Sequence, residues 1–194
     1  NPEFNIPVFS IDGHQFIQSL YAKGIRQFVV EDLVTVSDLP DANILHVKSS
    51  IQALQAIASF HRKQFSIPVI AITGSNGKTI IKEWLYQLLS ADYKIVKNPG
   101  SYNSQLGVAL SVWQMQSHHE LGIFEAGISQ PSEMARLESI IQPTLGIFTN
   151  LGTAHDEGFS SAQQKLEEKL KLFTHVKQLL YCSDQSLPHT VVQP

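Results

Sequence analysis

Residues 67–79 read IPVIAITGSNGKT, and no other stretch constrains the fold of this 194-residue chain as strongly. Its first seven residues are a short apolar run rich in β-branched side chains, the pattern of a buried strand. The run gives way to Gly74, Ser75, Asn76 and Gly77, then Lys78 and Thr79. Ile80, Ile81, Trp84, Leu85 and Leu88 follow at helical spacing. A strand, a glycine loop and a helix in that order fold backbone N–H groups around an anion. They also aim the positive end of a helix dipole at it. In such a loop the lysine reaches the β- and γ-phosphates of a nucleotide, and the threonine hydroxyl ligates Mg2+. Gly74, Ser75, Asn76, Gly77, Lys78 and Thr79 are therefore the expected nucleotide-binding residues. The widespread pattern GxxxxGK[ST] needs glycine at position 72, where this chain has Ile72. The shorter form TGxxGKT is present instead. A plain glycine turn with an exposed lysine is the bland alternative, and the flanking strand and helix argue against it.

The same alternation runs on both sides of this segment. Upstream, Asp12 caps a helix with Phe16, Ile17, Leu20 and Tyr21 on one face, and Gly24 ends it. Strands are expected at 27–31 and 44–47. Ser49 or Ser50 then caps a helix whose apolar face is Ile51, Leu54, Ile57 and Ala58. Downstream, strands are expected at 121–125, 145–149 and 178–182, and helices at 105–116, 131–140 and 162–173. Pro131 suits a helix start, where its missing N–H costs nothing. Strands alternating with helices predict an α/β fold with a doubly wound, mostly parallel sheet. The pattern restarts near residues 63–66. Residues 1–63 thus read as one α/β region, and 64–194 as a second, a P-loop ATPase domain.

Composition narrows the partners. Fourteen Lys and Arg against seventeen Asp and Glu give a net charge of −3, with no basic footprint for nucleic acid or an anionic membrane. The single cysteine, Cys182, excludes an internal disulfide framework and a multi-cysteine zinc site. No apolar run approaches the ~20 residues of a membrane span, and no signal peptide opens the sequence. A soluble, cytoplasmic protein is expected.

Several residues stand where they could complete a nucleotide site. Asn103 closes the turn-rich stretch NPGSYN before a helix. Its spacing fits turn and cap chemistry, and also a hydrogen bond near phosphate or substrate. Glu125 ends an apolar strand and precedes Ala126 and Gly127. Ligands of open α/β sheets gather at the carboxyl ends of strands, so a carboxylate there suits a hard cation such as Mg2+. His155, in NLGTAHDEGF after another strand, is a metal or phosphate ligand or a structural group. His118 and His119 read as a solvated loop. The stretch KLEEKLK, residues 165–171, reads as the polar face of an amphipathic helix, and spacing gives Lys169 no special standing.

Taken in order, DGHQFI, TGSNGKT, NPGSYNSQLGV, FEAG, TNLGTAHDEGF and EEKLKLF resemble the Mur ligase family. These are ATP-dependent amide ligases of peptidoglycan precursor synthesis. The likeness covers about residues 12–182. The stretches 98–108 and 155–159 look most like the members that join D-alanyl-D-alanine to UDP-MurNAc-tripeptide. The wording SYNSQLGV is similar to members fused ahead of an alanine racemase. The resemblance implies catalytic roles for Lys78, Glu125, His155 and Lys169, and puts Asn103 close to ATP or substrate. It implies two Mg2+ sites, held by Thr79, Glu125, His155 and a Lys169 converted by CO2 into a carbamate. An anionic carbamate is a coherent second-cation ligand, which an ammonium is not. It also implies a parent more than twice this length, with the C-terminal domain and part of the N-terminal UDP-substrate domain outside these residues. The piece alone is then expected to be inactive. Other readings stay open: an amino acid-adding or folylpolyglutamate-like member, another P-loop NTPase, or a nucleotide-binding piece without turnover.

Overall fold

The computed structural model describes residues 12–33, 39–152 and 158–192. The chain packs as two compact units, Asn1–Ala53 and Leu54–Pro194.

In the first unit Asp12 caps a short 3-10 turn, Gly13–Phe16, through its carboxylate and the His14 N–H. Helix α1 (Ile17–Ala22) follows, and Gly24 ends it at φ +94°. Strands β1 (Gln27–Val30) and β2 (Asn43–His46) pair in parallel. Their small core is Ile17, Phe28, Val30 and Leu39. The His14 ring ties the turn to the end of β1: Nδ1 bonds Asp12 at 2.6 Å, and Nε2 accepts the Glu31 N–H at 3.0 Å. Helix α2 (Ser50–Arg62) begins here and runs into the second unit.

The second unit is a five-stranded, all-parallel sheet in the order β4-β5-β3-β6-β7. Its strands are β3 (Val69–Thr73), β4 (Ile95–Lys97), β5 (Leu121–Glu125), β6 (Leu145–Phe148) and β7 (Gln178–Tyr181). The connecting helices are α3 (Lys78–Leu89), α4 (Gln105–Trp113), α5 (Met134–Ile141) and α6 (Ala162–Leu170), and α7 (Ser186–Val192) follows β7. Alternate residues of β3 serve opposite faces, as the period of a strand requires. Val69 and Ala71 join the core built with Val108, Val112, Leu137, Ile141 and Leu166 of α4, α5 and α6. Ile70 and Ile72 join the other, with Ile81, Leu85 and Leu89 of α3. Helices thus cover both faces of the sheet, as the alternating pattern predicts.

The structure corrects the sequence reading at particular elements. Helix α5 starts at Met134, not Pro131. Ser132 takes φ +70°, which no helix continues through, and the Glu133 carboxylate folds back onto the N–H groups of Ser129 and Gln130. On α3 the inward stripe is Ile81, Leu85 and Leu89, while Ile80, Trp84 and Leu88 face solvent. On α2 Ile51 and Ile57 are exposed, and Gln55 and Arg62 are buried in their place. Arg62 is tolerated there because it donates to the carbonyls of Phe65, Ile141 and Gln142. Strand β4 and helix α7 were not foreseen. No helix among the described residues is long and apolar enough to cross a membrane.

Candidate functional site

The chain order reverses beside β3: β4 and β5 lie to one side of it, β6 and β7 to the other. Open parallel sheets carry their ligand crevice at the carboxyl ends of the strands flanking such a switch. Thr73, Glu125 and Phe148 end β3, β5 and β6 there.

The glycine loop turns directly off β3. Gly74 sits at φ +144°, and a Cβ there would stand 2.0 Å from Thr149 Oγ1. Gly77, left-handed at φ +81°, is the N-cap of α3 and supplies no side-chain cap. The first-turn N–H groups of a twelve-residue helix are therefore left without a capping side chain. The loop is stitched to the segment after β6. Ser75 N–H donates to Asn150 O at 2.9 Å, and Asn76 N–H to Asn150 Oδ1 at 3.2 Å. Thr149 Oγ1 donates to Asn76 O at 2.6 Å.

Three ammonium groups gather round this loop. Lys78 Nζ donates to the carbonyls of Gly74 at 2.9 Å and Ser75 at 3.2 Å. Lys169 Nζ donates to Gly74 O at 3.2 Å, and Lys165 Nζ to Gly152 O. Lys165 and Lys169 are both fully buried, so helix α6 does not turn them to solvent as KLEEKLK had predicted. Burial pushes the Lys169 amine down to about 8, and the charges of Lys78 and Lys165 add to the shift. Lys78 is also lowered, first by burial; Glu125 opposes the shift and Lys165 adds to it. Thr79 is half-buried beside Lys78.

Glu125 ends β5 with its side chain fully buried, not as an exposed strand-end acid. Its Oε1 accepts from Asn103 Nδ2 at 3.3 Å. Its Oε2 is buried and has no hydrogen-bond partner among the described residues. An anionic oxygen shielded from water and left without a donor fits a hard cation. Asn98 brackets the same residue: its Oδ1 accepts the Glu125 N–H at 2.7 Å and its Nδ2 donates to Tyr102 O at 2.6 Å. The structure thus brings together the glycine loop, Lys78, Asn103, Glu125 and Lys169. His155 lies outside the described residues, and among those described no cluster of three His, Cys, Asp or Glu could hold a metal ion. Sequence reasoning missed Lys82, Asn98, Asn150 and Lys165. For Lys82 a signal existed, since it lies four residues after Lys78 and so on the same helix face.

Fold and site together define an open α/β domain with a phosphate-type glycine loop at its topological switch point. Residues 72–188 match the Mur ligase middle domain, and the chain belongs to that family. It is 37% identical over 168 residues to UDP-N-acetylmuramoyl-tripeptide–D-alanyl-D-alanine ligase from Borreliella burgdorferi, covering 84% of this chain and 36% of that one. It is 34% identical over 172 residues to the ligase of the same name from Treponema pallidum, covering 84% and 38%. Among solved structures, the MurF ligase from Thermotoga maritima in complex with ADP superposes with a TM-score of 0.82 at 31% identity, over 94% of this chain and 42% of that one. The chain spans little more than a third of the length of these curated relatives.

Proposed function

We propose that this chain is the nucleotide-binding part of an ATP-dependent ligase that joins D-alanyl-D-alanine to UDP-MurNAc-tripeptide through an acyl phosphate. The observation that carries the reading is the uncapped N-terminus of α3 behind Gly74–Gly77, with the Lys78 ammonium folded back on the loop carbonyls and coupled electrostatically to the buried Glu125 carboxylate. The N–H groups of Gly77, Lys78 and Thr79, at the uncapped start of α3, would cradle the phosphates. Lys78 would leave its loop carbonyls to offset charge as the γ-phosphoryl moves to the tripeptide carboxylate. Catalysis by such a site is positioning and charge neutralisation, because fixed N–H groups need no reorganisation as charge shifts. ADP leaves with the electrons of the broken P–O bond; the amine of the dipeptide then attacks the acyl carbon and gives up a proton to solvent, an amide forms, and phosphate leaves with the bond electrons.

Thr79, Glu125 and His155 would hold Mg2+, which supplies Lewis-acid neutralisation of the phosphate oxygens. A carbamate on Lys169 would hold a second. Asn103 would steady Glu125 and lie near the nucleotide or substrate. Residues 1–63 would form part of the UDP-substrate domain and 64–194 part of the ATPase domain. UDP-linked precursors and ATP are met in the cytoplasm, where we put the reaction.

A chimera tests this reading. This chain replaces the matching segment of the Borreliella ligase. Phosphate release from ATP should then require both UDP-MurNAc-tripeptide and D-Ala-D-Ala. Lys78→Met in the chimera should lower the rate at least ~100-fold. Phosphate release without either substrate, or a fully active Lys78→Met chimera, overturns the reading.

A further inference from the structure

The site just described has no use for Lys82, yet Lys82 is one of the most deeply buried side chains in the chain. It stands on α3 one turn beyond Lys78 and has no solvent exposure. Burying an ammonium is costly unless its donors are satisfied. Here they are satisfied by an unusual set of partners. Nζ donates to the backbone carbonyl of Asn98 at 3.0 Å and to that of Gly100. It also lies 3.4 Å from Glu83 Oε1 and 3.9 Å from Glu125 Oε1. Glu83 is separately paired with Lys97 at 2.7 Å, so Lys82 is not its sole counter-ion.

Both carbonyls belong to the loop between β4 and α4. That loop turns at Gly100, φ +51°, and delivers Asn103 to Glu125 Oε1. Its far end is pinned as well: Gly127 N–H donates to Asn103 O at 2.8 Å. A Cβ on Gly127 would come within 2.9 Å of Asn103 Oδ1. Asn98 meanwhile clasps the Glu125 backbone from the side. Among the described residues Lys82 is the one side chain of α3 that donates to this loop, and it also approaches the carboxylate the loop serves.

We propose that Lys82 is a positioning residue of the nucleotide site: its buried ammonium ties the 98–103 loop to the helix carrying Lys78, and so fixes Asn103 and Glu125 against the phosphate loop. The proposal rests on the phosphate-loop reading above. A purely structural lysine would support stability alone. A positioning lysine also sets how well the site accepts a metal-bound nucleotide, because a loosened loop misplaces the Glu125 carboxylate without touching the glycine loop.

The test uses the 194-residue chain with Lys82→Met, which keeps length and removes the charge, and Lys82→Gln, which keeps an N–H donor. Lys97→Met is the control, since it removes the other partner of Glu83 without reaching the loop. Hydrogen exchange at the Tyr102, Asn103 and Gly127 amides should rise about tenfold in Lys82→Met relative to the β6 amides. Titration with ATP should show the gain from Mn2+ reduced about tenfold, with affinity in EDTA changed less than about twofold. Lys97→Met should match the wild type in both. Should Lys82→Met fail to fold, Lys82→Gln, whose uncharged amide is one bond too short to hold both the Asn98 and Gly100 carbonyls, carries the same comparison. Wild-type exchange in a folded Lys82 variant overturns the proposal, as does equal weakening with and without Mn2+. A wild-type chain that binds no ATP overturns the phosphate-site reading instead, and the exchange rates still decide the role of Lys82.

Discussion

Lys169 shows how one side chain can change chemical character through its surroundings. An ordinary lysine, near 10.5, is almost wholly protonated at neutral pH. In this protein burial, helped by Lys78 and Lys165, brings it to about 8. The neutral amine is the species that reacts with CO2: its nitrogen bonds to the carbon and a proton passes to solvent. Carbamate at this position should therefore increase as pH rises through about 8. Carbon-13 NMR of the chain under labelled CO2 checks this. A carbamate signal should grow across that range and vanish in Lys169→Ala, and its absence in the wild type would remove the carbamate. The stability linkage has the same sign. Between about 8 and 10.5 the unfolded chain binds more protons than the folded one, so the part of stability governed by Lys169 rises with pH in that window. None of this was legible in KLEEKLK. Leu166 and Leu170 mark an inward stripe, but a second side of α6 is buried as well, where Lys165 donates to Gly152 O and Lys169 to Gly74 O, contacts with segments far away in sequence.

At the scale of one element, the glycine loop separates two uses of the same residue type. Gly74 and Gly77 both hold positive φ, at 144° and 81°. A Cβ on Gly77 meets open space, whereas one on Gly74 meets Thr149 Oγ1 at 2.0 Å and Asn150 backbone at 3.0 Å. Gly77→Ala should cost about 1 kcal/mol of left-handed strain. Gly74→Ala should cost at least ~1 kcal/mol more, because rigid backbone has to move as well. Urea unfolding of both variants measures the difference, and equal costs would contradict the close approach of the two loops. The loop itself was plain in the sequence, because a β-branched run, two glycines and a helical stripe all agree on one local structure. Strand β4 was not, since three residues ending in Lys97 are too short to show a period. Helix α5 was misplaced by Pro131 because the competing turn depends on the Glu133 side chain and on Glu168, whose Oε1 accepts the Met134 N–H at 3.1 Å. Glu125 was read from its strand end, but its buried setting beside Asn98, Asn103 and Lys82, with an Oε2 that has no partner among the described residues, rests on contacts distant in sequence that no local pattern encodes.

At the scale of the whole chain, the two units differ in how much each can bury. Among the described residues the first has a two-stranded sheet and a core of Ile17, Phe28, Val30 and Leu39. A two-stranded pair gains little stability of its own, and small units bury a smaller share of their surface. The second has a five-stranded sheet covered by helices on both faces, and its larger core draws on β3 to β6 and on α4, α5 and α6. Cooperative opening follows contiguous packing, so β1 and β2 should open at a lower free energy than β3 and β5. Native-state hydrogen exchange in low denaturant distinguishes them. The amides of Phe28 and Val30 should exchange by a small local opening with little denaturant dependence. Those of Ala71, Ile72 and Ile123 should exchange only with unfolding of the central sheet, at a free energy higher by at least ~2 kcal/mol. Equal free energies and equal denaturant slopes for β1 and β3 would mean that the chain opens as one cooperative body. The expected difference would mean that the sheet carrying Lys78 and Glu125 keeps its geometry while the first unit fluctuates.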